Sequence, residues 1–148
     1  MDKIRIHQTC LAKLMDQVNA IEEELFNLKQ DLADDSKSTA GDKHETSRAM
    51  LHLEQEKLGK RYQQLKNDLS FVSQIDPHIQ NQKVQKGALV KTSLGIFYFS
   101  AGIGTITSQN QEIYCLSMHA PIANFLINKQ INDEIIWQGK KVNIEAIY

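Results

Sequence analysis

The sequence predicts an α+β protein, with an antiparallel α-helical coiled-coil hairpin over residues 1–78 and a small β-rich domain over residues 82–148. Two heptad seams joined by a polar link predict the hairpin, and a switch to short β-type runs beyond Gly87 predicts the second domain. Charge supports a boundary near residue 80. Residues 1–81 carry 11 Lys/Arg against 14 Asp/Glu, whereas residues 82–148 carry 6 Lys against 4 Asp/Glu.

The first seam runs Ile4, His7, Leu11, Leu14, Val18, Ile21, Leu25, Leu28, Leu32 in alternating steps of three and four. That is the a/d spacing of a helix packing on one partner helix. Glu22, Glu23, Glu24, Lys29 and Asp31 fall on the outer face, and no Gly or Pro precedes Gly41. The second seam runs Leu51, Gln55, Leu58, Tyr62, Leu65, Leu69, Val72. Gly59 lies off this seam, and Asp76-Pro77 marks the stop, because Pro cannot continue a helix and restricts the residue before it. The link from Asp34 to Glu45 is rich in Ser, Thr, Gly and Asp, which favour turns and caps. So short a link makes the helices antiparallel neighbours, each ~45 Å long at ~1.5 Å per residue.

Composition excludes several classes. Apolar residues at 41% and charged residues at 24% exclude wholesale disorder, and a net charge of −1 excludes a global basic field for duplex nucleic acid. The two cysteines, Cys10 and Cys115, sit in segments that read very differently, so a disulfide framework is not expected and a cytoplasmic setting is the simplest. The first ten residues lack the apolar core of a signal peptide, and no apolar run approaches the ~18 residues of a membrane span.

The link gathers four carboxylates: Asp34, Asp35, Asp42 and Glu45. Asp42 and Glu45 have the spacing of a helix N-terminal cap, where negative charge is favourable by about 0.3–1 kcal/mol. Asp34 and Asp35 fall toward the negative end of the first helix, where a carboxylate is unfavourable by a similar amount. Capping is the leading reading of the second pair, while Asp34 and Asp35 either sit at that helix end or lie beyond it in solvent. Carboxylates at such a tip suit Mg²⁺, which takes one or two from protein and keeps water and phosphate elsewhere.

In the second domain, residues 88–92, 96–99, 103–107 and 112–118 read as strands punctuated by Gly95, Gly102, Gly104 and Asn110. Pro121 opens a short helix over residues 122–127, and residues 134–137 and 142–147 read as a terminal hairpin around Gln138-Gly139-Lys140-Lys141. No Ser/His/Asp grouping is recognisable. The lone G-x-G of Gly102 and Gly104 reads as turn glycines, His119 as a surface loop residue and Trp137 as packing.

The run from Leu116 to Lys129, Leu-Ser-Met-His-Ala-Pro-Ile-Ala-Asn-Phe-Leu-Ile-Asn-Lys, resembles the C-terminal signature of the Gre transcript-cleavage factors, S-P-[IL]-A-x-x-L-[IL]-G-K. Pro121, Ile122, Ala123, Leu126, Ile127 and Lys129 match in register. The tip resembles the family's G-D-x-x-E-N-A-E-Y stretch more loosely, with Asp35 on the first acid and Ala40 on the alanine. The resemblance implies an FKBP-like second domain, without implied prolyl isomerase activity. It implies a monomeric, bacterial, cytoplasmic factor that binds RNA polymerase at the secondary channel, with His119, Pro121 and Ile122 as the contact. The hairpin would bring Asp34, Asp35, Asp42 and Glu45 to the active centre. There Asp35 would help hold a Mg²⁺ shared with the polymerase, close to the nascent RNA, and no cofactor would be tightly bound. The factor is then not itself an enzyme: the polymerase hydrolyses its own backtracked transcript.

The chain departs from the pattern at four places. Ser38 falls on the second tip acid, Gly41 and Asp42 replace the following Glu-Tyr, Ala120 replaces Ser before the proline, and Asn128 replaces Gly. Ser38 opens a second reading, a non-cleaving regulator at the same channel. Heptad seams alone leave a third, a coiled-coil interaction protein.

Overall fold

The computed structural model describes residues 1–35 and 42–148, with side chains for residues 1–34 and 45–148. The chain divides into two compact units, Met15–Asn67 and the combination of Met1–Leu14 with Asp68–Tyr148. Helix α1 spans Lys3–Asp35 and α2 spans Asp42–Ser73.

Within Met15–Asn67 the two seams close on each other. Tyr62 donates its hydroxyl to the Glu22 carboxylate at 2.9 Å. Glu22 precedes the end of α1 by roughly four turns, and Tyr62 follows the start of α2 by roughly five and a half, so they meet only because the chain reverses. Val18, Leu28, Leu32 and Leu65 are buried, while Ile21, Leu25, Leu51, Gln55, Leu58 and Tyr62 are half-buried. Every second-seam position in this unit is thus sheltered, and the flanking positions are mostly exposed. Gly59 is the weak turn of α2: a Cβ added there meets nothing within 4 Å. Gly59→Ala is expected to raise the stability of the protein by about 1 kcal/mol, read from the denaturant midpoint, because alanine restricts the unfolded chain and favours helix.

The other unit is built on a six-stranded sheet. Its strands are β1 (Leu89–Thr92), β2 (Gly95–Phe99), β3 (Gly104–Ser108), β4 (Gln111–Leu116), β5 (Glu134–Trp137) and β6 (Lys140–Ile147), and helix α3 spans Pro121–Leu126. The spatial order is β3-β4-β2-β1-β6-β5. All pairings are antiparallel except β2 with β4, which run parallel because β3 is carried to the edge between them in sequence. The β5–β6 hairpin turns on Gln138 and Gly139, both at positive φ, which is the primed two-residue turn that matches strand twist.

Alternation along the strands sorts side chains to two faces. Val90, Phe97, Phe99, Val142 and Ile144 form one core with Ala123 and Leu126 of α3. Leu89 and Tyr98, paired across β1 and β2 and fully buried, lie on the opposite face. The start of α1 covers that face. His7 Nδ1 lies 2.7 Å from the Tyr98 hydroxyl, Cys10 Sγ lies 3.6 Å from Ser100 Oγ, and Lys13 donates to the Thr105 carbonyl at 2.7 Å. This contact changes the first seam near its beginning. Ile4 is 39% exposed, and Ile6, His7, Cys10 and Leu14 are the buried stripe instead. Here α1 buries a face against a sheet rather than against one helix, so Ile6 and Cys10 join the heptad positions His7 and Leu14 and the buried stripe widens.

Gly87 enters β1 at φ +80, and a Cβ there would come 2.8 Å from Cγ2 of Ile75. The left-handed backbone and the close approach together require glycine.

Candidate functional site

At the link, α1 continues through Asp34 to Asp35, and α2 opens at Asp42. Asp34 is exposed in the last turn of α1, and Glu45 is exposed in the first turn of α2. The side chains of Asp35 and Asp42, and all of Ser38, lie outside the described residues. The last turn of α1 holds no basic residue. Asp34 and Asp35 therefore stand at the negative end of a helix dipole with no cation in that turn, a placement that helix stability disfavours. Glu45 is placed where the dipole welcomes it. Among the described residues, no group of three or more His, Cys, Asp or Glu is arranged to hold a metal ion.

The second candidate surface begins where β4 ends. Residues 117–120 turn the chain, with Ser117 Oγ accepting from the His119 backbone N–H at 3.1 Å and the Ser117 carbonyl accepting from Ala120 N–H at 3.1 Å. Pro121 then occupies a first-turn position of α3, where its missing N–H costs nothing. His119 and Pro121 are exposed, and Ile122 is half-buried against the core. Ala123 and Leu126 point inward and are fully buried. Of the expected contact residues, Pro121 is thus presented outward by a helix whose other face is anchored, His119 is exposed in the turn before it, and Ile122 packs against the core.

Two departures from the motif have a local account. Ala120 is the N-cap of α3, in extended conformation and with no side-chain cap bond. Ala120→Ser would supply an acceptor for a free first-turn N–H and is expected to stabilise by about 0.5–1 kcal/mol, measured by thermal melting. Asn128 sits at φ 67, in the left-handed region that follows many helices. Asparagine tolerates that region, so the backbone path a glycine would take is kept. Asn128 N–H donates to the Val84 carbonyl at 2.8 Å, and Val84 N–H donates back to Lys129 at 2.9 Å, stitching the end of α3 to the segment before β1.

Residue-by-residue matching missed Phe125. It is 49% exposed and packs edge-on against Trp137 of β5, with ring centroids 5.5 Å apart. Its signal was the four-residue step from Pro121, which places both on one side of α3. Its exposed ring adds apolar area beside Pro121.

No protein-family model matches the chain, and no curated protein matches it. Two solved structures are similar to it. One is a structure of the transcription factor Gfh1, 15% identical, covering 95% of this chain and 94% of that one at a TM-score of 0.41. The other is GreA factor homolog 1 (Gfh1) of Thermus thermophilus, 14% identical, covering 93% and 94% at a TM-score of 0.38.

A polar cluster under α1 carries the clearest perturbed ionisations. Burial first, and the Lys3 ammonium second, hold the His7 imidazole below its ordinary 6.5, against an opposing pull from Asp76. Burial likewise pushes the Tyr98 hydroxyl up. The pair is therefore neutral at pH 7 and joined by one hydrogen bond. Lys3 Nζ donates to the Ile79 carbonyl at 2.7 Å and the Tyr148 carbonyl at 3.1 Å. Because His7 binds its proton more weakly when folded, the unfolded chain holds more protons below pH 6.5. Its contribution to stability is complete above that value and declines as pH falls toward the folded pKa. Melting curves from neutral pH to about pH 5 are expected to show this loss, reduced in His7→Gln.

Proposed function

We propose that this chain is a Gre-like accessory factor of RNA polymerase. It docks through the Pro121 surface at the secondary channel, and its tip carboxylates stimulate hydrolysis of backtracked transcripts. The segment from Pro121 to Lys129 carries the reading. It matches the family signature in register, and it exposes His119 and Pro121 while anchoring Ala123 and Leu126 in the core. The tip adds a second support, since Asp34 and Asp35 occupy a position that helix electrostatics disfavours.

The factor itself is not an enzyme on this reading and holds no cofactor tightly. One exposed carboxylate at Asp34, with Asp35 beside it in sequence, fits the donor chemistry of a Mg²⁺ that retains water and phosphate ligands from elsewhere. A Mg²⁺ bound there supplies charge neutralisation and activation of water. The residues of this chain lend oxygen ligands and negative charge, and the polymerase supplies the remainder of the active centre.

Ser38 on the second acidic position favours a second reading, a channel regulator that binds and does not stimulate cleavage. A stalled, backtracked elongation complex with cognate polymerase and saturating Mg²⁺ separates the two. Shortened transcripts on adding the protein support the first. Unchanged transcripts, with displacement of an authentic Gre factor, replace it with the second.

A further inference from the structure

The proposed polymerase role uses neither cysteine, yet the fold brings Cys10 of α1 and Cys115 of β4 together. Both are free and buried. Cys10 Sγ lies 3.6 Å from Ser100 Oγ, and Ser100 is held against β4 by its backbone N–H to the Leu116 carbonyl at 2.9 Å, one residue past Cys115. On the other side Cys115 pairs with Gly104 of β3, so no side chain there crowds it. Lys13 lies three residues along α1 from Cys10, and its Nζ is 3.9 Å from where a Cβ on Gly104 would be. A hydroxyl and two thiols thus share one buried site, with the half-buried Lys13 ammonium near its edge. The neighbouring Cys115 thiol above all, with help from Ser100 and Lys13, draws the Cys10 thiol below its ordinary value, while Cys10 and burial push Cys115 up. Cys10, whose sulfur meets the Ser100 hydroxyl at 3.6 Å and is drawn toward the thiolate, is the attacking sulfur, and Cys115 is the resolving one.

We propose that Cys10 and Cys115 form a redox pair that closes to a reversible disulfide when the protein meets a peroxide, tying the start of α1 to β4. Cys10 thiolate attacks one peroxide oxygen, the O–O bond breaks, and Cys10 becomes a sulfenic acid as hydroxide leaves and is protonated to water. Cys115 sulfur then attacks the Cys10 sulfur, the S–O bond breaks, and the hydroxide departs as water with the Cys115 proton. Two thiols are oxidised by two electrons, and one hydrogen peroxide is reduced to two waters. The oxidant is close to water in size and reaches the pair through local opening of the packing around α1. A thiol reductant reverses the reaction.

The test treats the folded full chain with hydrogen peroxide, alkylates remaining thiols, and maps the products by mass. The expected product has lost two hydrogens, yields one linked peptide pair containing Cys10 and Cys115, and reverts with dithiothreitol. It also melts at a higher temperature, because a cross-link across so long a loop restricts the unfolded chain. In Cys115→Ser, Cys10 is expected to stop at the sulfenic acid and be trapped by dimedone. If that variant does not fold, peptide mapping of the unmodified chain still decides. Unreacted thiols after prolonged exposure, separately over-oxidised cysteines, or links between two molecules would each overturn the proposal.

Discussion

Asp35→Ala is expected to lower stimulated transcript cleavage by roughly 10²-fold, the cost typical of deleting one preorganised electrostatic group, while leaving polymerase binding unchanged. Stability should respond in a way that a merely structural residue would not share. Asp35 is the last described residue of α1, whose last turn contains no basic residue. Removing a carboxylate there relieves an unfavourable dipole interaction of about 0.3–1 kcal/mol, so the variant should be as stable as the parent chain or slightly more so. Activity falling while stability holds or rises is the signature of a residue kept for function. Cleavage assays and denaturant midpoints on the same preparation read both quantities. A stable Asp35→Ala that cleaves like the parent would remove this residue from the mechanism.

The second large effect lies in the fold beneath the docking surface. Leu126→Ala is expected to cost about 2–5 kcal/mol, from lost burial and the cavity left behind. Leu126 is fully buried and packs with Val90, Phe99 and Val142 of the sheet. It belongs to the same short helix that presents Pro121 and Phe125. A helix of six residues has little stability of its own and holds its shape through its buried face. Loss of Leu126 should therefore shift the denaturant midpoint and weaken polymerase binding together. Ala120→Ser should move the same two quantities modestly in the other direction.

Much of this fold was written in local patterns. Leu51, Gln55, Leu58, Tyr62, Leu65, Leu69 and Val72 are all sheltered, because heptad spacing is a property of one helix meeting another. The strands fell within two residues of their expected bounds, because alternation and turn glycines are local signals. Ile4 failed because the start of α1 meets a sheet, and nothing local in the first ten residues encodes that partner. The parallel pairing of β2 with β4 was equally invisible, since it depends on where the chain carries β3. The same long-range folding brings Cys10 to Ser100 and Phe125 to Trp137. At the candidate site, the Pro121 helix was legible from local signals, whereas the outward face of Phe125 needed the helix itself. The tip was legible only as a concentration of acids at the end of one helix and the start of the next.

The most direct test of the central claim is the equilibrium binding of the purified chain to core RNA polymerase, alone and in competition with a Gre factor. The account predicts saturable binding that a Gre factor displaces. It predicts weakening by at least about tenfold in a Pro121→Ala, Phe125→Ala double variant that retains its fold, as expected for central contact residues. Absence of binding by the parent chain, or binding that a Gre factor leaves untouched, would contradict it.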